Sequence, residues 1–156
     1  MEKQRYPGGR KSRCVETPVL FHQFEEESDG GLVFTTAAQR SWIKSKYQKE
    51  ERMYEALSKL SEAAASWKQM ECRIEERLYD WLRPFGLRYS HIDNGLERKN
   101  LHKFSFESRQ YSRVHHIKLD DHVHQTAVGR IYFGIDTDDR RWIVDHVGLK
   151  LYKTKK

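Results

Sequence analysis

The chain has 156 residues, a formal net charge of +6 and a pI near 9.3. That length suits one domain burying most of its surface without a disulfide or structural metal, and the basic balance favours an anionic partner. No apolar run approaches the roughly 20 residues of a membrane span.

No apolar stretch follows the basic N-terminus as a secretory signal requires, and Cys14 and Cys72 form no CxxC pair. Both features point to a cytoplasmic protein, with Cys72 a small core residue. The charge is uneven: residues 87–156 carry fourteen Lys/Arg against nine Asp/Glu, and the rest of the chain is close to balance. A polyanion is therefore expected to dock on the C-terminal half.

Residues 1–18 lack apolar periodicity and read as a mobile arm. Val19–Phe24 has the composition of a short strand, and Glu25–Gly31 that of an exposed acidic turn. Leu32–Thr35 is a second short strand. Thr36-Ala37-Ala38-Gln39 fits a capping box, so a helix is expected from there. Neither Gly nor Pro interrupts residues 39–82. Leu57, Leu60, Ala64, Trp67, Glu71, Ile74, Leu78 and Trp81 fall on one helical stripe. Trp42, Ile43 and Tyr47 form an earlier stripe, offset across Gln48–Glu51. Two helices breaking near 47–51, or one long bent helix, both satisfy this pattern. Pro84 and Gly86 end it.

The remainder is β in character. Leu87–Ile92 is a candidate strand, followed by a turn at Asp93-Asn94-Gly95. Leu101–Phe106 and Tyr111–Leu119 alternate as strands. Parity puts Tyr111, Arg113 and His115 on one face, and Arg130 with Tyr132 opposite Ile131 and Phe133. Arg130–Ile135 and Arg141–Val147 form a hairpin about Asp136–Asp139. Strands, helices and then antiparallel strands imply an α+β fold: a short N-terminal strand, two helices or one bent one, and a C-terminal antiparallel sheet of three to four strands. Residues 1–31 are set apart as a partly mobile extension, 32–152 as the single domain, and 153–156 as a basic tail.

Eight histidines invite a metal, but His122-Val123-His124 lacks a third ligand nearby, and adjacent His115 and His116 point to opposite faces of a strand. No metal or cofactor is expected, and no P-loop, GxGxxG, GxSxG or HExxH motif is present. Metal-independent RNA cleavage needs no contiguous motif, only a base, an acid and cations at the phosphate. Arg113, Arg130, His146, Lys150 and Tyr152 offer such groups on strands expected to be neighbours.

Leu101–Phe104, Tyr111-Ser112-Arg113-Val114, Arg130-Ile131-Tyr132-Phe133, the acidic turn Asp136–Asp139 and Trp142–Tyr152 together resemble the C-terminal half of the RelE/ParE toxin superfamily, particularly its RelE/YoeB-like mRNA interferases. Leu32–Ala38 is similar to that family's first strand and helix. The resemblance spans about residues 32–152 and implies a β-α-α-β-β-β domain that cleaves mRNA, on the ribosome or free, and is covered by an acidic antitoxin. It implies phosphate-binding roles for Arg113 and Arg130 and proton transfer by His146 or Tyr152. Lys103, Lys150 and Lys153 would contact substrate, and Glu97 corresponds to a carboxylate base. Val114 stands where the family carries a second arginine, and Lys150-Leu151-Tyr152 replaces its terminal His-Tyr. The alternative is a non-catalytic module of the same fold acting on gyrase, nucleic acid or a protein. A homodimer, or a partner helix docked on Leu57, Leu60 and Trp67, is a further expectation.

Overall fold

The computed structural model describes residues 10–120, 124 and 127–151. Along the chain run α1 (Arg10–Glu27), β1 (Leu32–Phe34), α2 (Thr36–Lys44), α3 (Glu50–Gln69) and α4 (Leu78–Leu82), which passes into a 3-10 turn (Arg83–Phe85). Then come β2 (Tyr89–Ser90), α5 (Asn94–Arg98), β3 (Lys103–Phe106), β4 (Arg109–Ser112), β5 (His115–Leu119), β6 (Gly129–Asp136) and β7 (Arg141–Leu149). The fold is α+β, with β1 and the β6–β7 hairpin where the sequence reading puts them.

The first correction is at the N-terminus. Val19–Phe24 is not a strand, and residues 10–18 are not an arm; both lie in α1. Its buried stripe is Arg13, Thr17, Leu20, Phe21 and Phe24, spaced by one helical turn. Two of those five are polar and Pro18 stands inside the helix, which hides the periodicity. Phe21 stacks on Phe34 of β1 with ring centroids 4.1 Å apart.

Arg13 is 2 % exposed and decides where α2 ends. Its guanidinium donates to the carbonyls of Trp42 (3.1 Å), Ser45 (2.8 Å) and Tyr47 (2.8 Å) and pairs with Glu50 at 2.8 Å. The C-terminal carbonyls of a helix lack partners within it; here an arginine from another helix supplies one. The helical region therefore breaks at residues 45–49, the first of the two arrangements the sequence allowed. At the other end Thr35, not Thr36, caps α2 by accepting from the Ala38 N–H at 3.0 Å.

α3 stops at Gln69, well before Pro84. Glu71 and Cys72 take left-handed φ angles of 55° and 63°, and the Cys72 N–H closes back on the Trp67 carbonyl at 2.9 Å. No glycine or proline announces this stop. Of the expected stripe, Leu57, Leu60, Ala64 and Trp67 are buried on α3; Glu71 and Ile74 lie outside any helix, and Cys72 packs half-buried against the core.

The main sheet has five strands in the order β1-β7-β6-β5-β2, and is mixed rather than antiparallel because β1 runs parallel to β7. Ile117, Ile131, Phe133, Trp142, Val144 and Val147 join Leu57, Leu60 and Trp67 in the core, so α1, α2 and α3 cover one sheet face. Burying such side chains contributes about 1.5–3 kcal/mol each. Tyr111–Leu119, expected as one strand, breaks at Arg113-Val114 into β4 and β5. The β3–β4 hairpin forms its own small sheet and lies over β6 at Gly134. A Cβ there would sit 2.9 Å from both Phe104 Cζ and Tyr111 Cβ, so only glycine lets the two sheets approach this closely. Buried Asp136 ties the layers, accepting from Tyr111 Oη and Arg141 Nε, each at 3.0 Å.

Candidate nucleic-acid interface

The sheet face opposite the helices carries the chemistry. Side chains of directly paired residues on neighbouring strands project to the same face. The register Ser90↔His116, His116↔Tyr132 and Tyr132↔His146 therefore makes one row across β2, β5, β6 and β7. The next row holds Lys118↔Arg130 and Arg130↔Gly148. Arg88 extends it, since the Lys118 N–H donates to the Arg88 carbonyl at 2.8 Å. Three cations thus neighbour one another across the sheet, and the Arg130 guanidinium donates to the Leu119 and Gly129 carbonyls at 3.3 and 2.8 Å. Lys150 adjoins them just past β7. Arg88, Arg130 and Lys150 all press on Lys118, whose pKa is lowered first by burial and then by these charges. Asp93 acts in the opposite direction on Lys118; it is itself buried and caps α5 by accepting from the Leu96 N–H at 3.1 Å. The expected turn at Asp93-Asn94-Gly95 is thus the start of a short helix.

In the aromatic row, Tyr132 is fully buried, with ring centroids 5.3 Å from His116 and 5.5 Å from His146. His146 Nε2 is 2.7 Å from the Leu149 carbonyl. A carbonyl only accepts, so Nε2 carries the proton and Nδ1 keeps the lone pair. By the same argument His116 Nδ1–H donates to the Val114 carbonyl at 2.7 Å. Burial pushes both imidazoles down to about 4; the charge of Arg113 adds to the effect at His146.

Arg113 reaches the same region from the β4–β5 break. Its guanidinium pairs with Asp145 at 3.1 Å and donates to the Lys103 carbonyl at 3.1 Å. Asp145 is the extra residue of a bulge: Phe133 pairs with Val144 while Tyr132 pairs with His146. Burial raises the Asp145 pKa against the opposing effects of Arg113 and Thr35, whose hydroxyl donates to Asp145 at 3.1 Å.

Of the residues the sequence singled out, Arg130 and His146 share the face opposite α3, which the β3–β4 hairpin covers in part; Arg113 adjoins His146, and Lys150 stands beside the cation row. Lys103 and Glu97 are exposed, on β3 and α5, and it is the Lys103 backbone that holds Arg113. Tyr152 and Lys153 lie outside the described residues. The break before His115 separates it from Tyr111 and Arg113: His115 pairs with Phe133 on the core side, and the Tyr89 hydroxyl is 2.7 Å from its Nδ1. Sequence reasoning passed over Arg88 and Lys118, and it placed Tyr132 beside Arg130 and set His116 opposite His115 without giving either a role in the site. Alternation within each strand was visible, but only the register between strands shows that they form rows.

Among the described residues no three His, Cys, Asp or Glu side chains gather as a metal site, and no helix is long and apolar enough to cross a membrane. No protein-family model, curated protein or solved structure matches the chain.

The buried histidines set an acid limit on stability. Their folded pKa lies below the unfolded value near 6.5, so the unfolded state takes up protons first as pH falls. Stability should be unaffected by them above about pH 6.5 and decline down to about 4. For His116, the most buried, the loss is on the order of 3 kcal/mol. Urea unfolding across that range should show the decline, and His116→Gln should flatten part of it.

Proposed function

We propose that the cation row at the uncovered end of the sheet face opposite α3 is a nucleic-acid-binding surface and that the protein is an RNA-directed binding module. The observation that carries this reading is the row Arg88–Lys118–Arg130 with Lys150 beside it. A run of cations across neighbouring strands matches the spacing of charge along a phosphate backbone, and neutralising those phosphates releases counterions condensed on the nucleic acid. An acidic antitoxin-like protein is the competing occupant of the same row.

The second reading, a toxin-like endoribonuclease, draws on the resemblance to the RelE/ParE superfamily and on the conjunction of Arg113, Arg130 and His146. One observation favours it: His146 has a fixed tautomer and a basic Nδ1 on the face that bears Arg130. Its depressed pKa counts the other way. A group titrating at about 4 is protonated in roughly one molecule in a thousand at neutral pH, and efficient acid–base catalysts titrate near the working pH. Arg113 already has a buried carboxylate for a partner. Binding is therefore preferred to cleavage.

In extracts containing ribosomes, the purified protein should bind RNA saturably and leave it intact. RNA cleavage, or growth arrest on expression, that disappears in both Arg130→Ala and His146→Ala while the fold persists would establish the nuclease reading instead.

A further inference from the structure

The cation row runs out at β2, the two-residue strand at one edge of the sheet. There the chain turns from α4 through the 3-10 segment into β2 and leaves two adjoining clefts. One, of about 490 Å³, is lined by Tyr79, Arg83, Arg88, Tyr89 and Lys118 among others. Its neighbour, of about 600 Å³, shares Tyr79, Tyr89 and Lys118 and adds Arg77 and His91. Both volumes fall in the roughly 300–1,000 Å³ range of small-ligand sites. Arg88 and Lys118 are therefore shared between the clefts and the open-face row.

The aromatic side chains differ in availability. Tyr89 is buried, its hydroxyl engaged with His115. Tyr79 is 48 % exposed, with the Arg83 guanidinium 6.0 Å from its ring centroid. An exposed aromatic ring beside several cations in a cleft is the combination that binds unpaired bases. The ring takes the base face without regard to sequence, and the cations take the phosphates. A duplex keeps its bases stacked within and cannot present one to Tyr79.

We infer that this edge cleft accepts an unpaired nucleotide of a single-stranded RNA, its base stacked on Tyr79 and its phosphate held by Arg83, Arg88 and Lys118, so that the strand continues along the cation row toward His146. The inference rests on the reading of the open face as a nucleic-acid surface and adds the form of nucleic acid selected.

The test compares a fluorescein-labelled single-stranded RNA of about twelve nucleotides with a blunt duplex of the same length, by equilibrium anisotropy at about 0.15 M salt. Wild type should prefer the single strand by at least about 5-fold. Tyr79→Ala should lose about 5- to 100-fold on the single strand, as one base stack is worth roughly 1–3 kcal/mol, and change little on the duplex. Tyr79→Phe should restore the preference, and Arg83→Ala should weaken single-strand binding with a smaller salt dependence. Equal binding of the two RNAs, or single-strand binding unchanged in Tyr79→Ala, overturns this inference and leaves the open-face reading standing. Absence of binding to either RNA overturns both.

Discussion

Replacing Arg13 by alanine is expected to destabilise the protein by about 3–5 kcal/mol, the range for breaking a buried ion pair by removing one partner. The side chain makes contacts that water cannot replace once it is removed. The Ser45 and Tyr47 carbonyls of the α2–α3 connection lose the guanidinium donor, the Trp42 carbonyl keeps only the Ser45 N–H, and Glu50 loses its cation. The guanidinium also lies 3.8 Å from the centre of the Trp42 ring, a cation–π contact worth on the order of 1–2 kcal/mol when desolvated. Lysine cannot reproduce this arrangement, because an ammonium offers three donors from one point where guanidinium offers a planar fork. Urea unfolding of Arg13→Ala and Arg13→Lys should show losses of at least about 3 and 2 kcal/mol respectively. A loss below about 1 kcal/mol would mean that α1 does not secure the break between α2 and α3.

The second large effect is on binding. The double variant Lys118→Ala/Arg130→Ala removes two members of the cation row. Each phosphate contact releases about 0.7–0.9 counterion, worth close to 1 kcal/mol at about 0.15 M salt. The double variant should bind RNA about 15- to 30-fold more weakly. Its fold should persist, the relief of repulsion between Lys118 and Arg130 working against the loss of the hydrogen bonds that Arg130 donates to the Leu119 and Gly129 carbonyls. That combination separates a functional role from a structural one: a residue kept for packing loses mainly stability on truncation, whereas these two should lose mainly affinity. Unfolding and anisotropy measured on the same preparation check both halves.

The parts of this fold that were legible in the sequence are those in which apolar spacing and burial coincide. Leu57, Leu60, Ala64 and Trp67 announce α3, and Arg130–Ile135 with Arg141–Val147 announces the last hairpin. The illegible parts share a different cause. α1 buries Arg13 and Thr17 among its apolar residues, so its stripe does not read as hydrophobic. α3 ends on left-handed Glu71 and Cys72, without the glycine that commonly marks such a stop. β4 and β5 separate at Arg113-Val114 because Gly134 admits the β3–β4 hairpin above β6, a contact between segments some thirty residues apart in the chain. The first and last of these outcomes are set by tertiary contacts, and the end of α3 by backbone geometry that no glycine announces.

The candidate site follows the same rule. Arg113, Arg130, His146 and Lys150 could be named from residue type and expected strands. Arg88 and Lys118 could not, because their significance lies in facing Arg130 across two strand boundaries. Asp145 is the further case: a bulge, invisible in the sequence, turns it to engage Arg113 and Thr35. That ion pair gives the arginine expected at a scissile phosphate a structural partner and inclines the balance towards binding over cleavage.

The most direct measurement of the central claim is the salt dependence of RNA affinity for the wild-type protein. If Arg88, Lys118, Arg130 and Lys150 each displace a counterion, log K should fall against log salt concentration with a slope of about −3, and the double variant should show a slope shallower by about 1.5. A slope near zero, or the same slope in both proteins, would contradict the assignment of the open sheet face as a phosphate-binding surface.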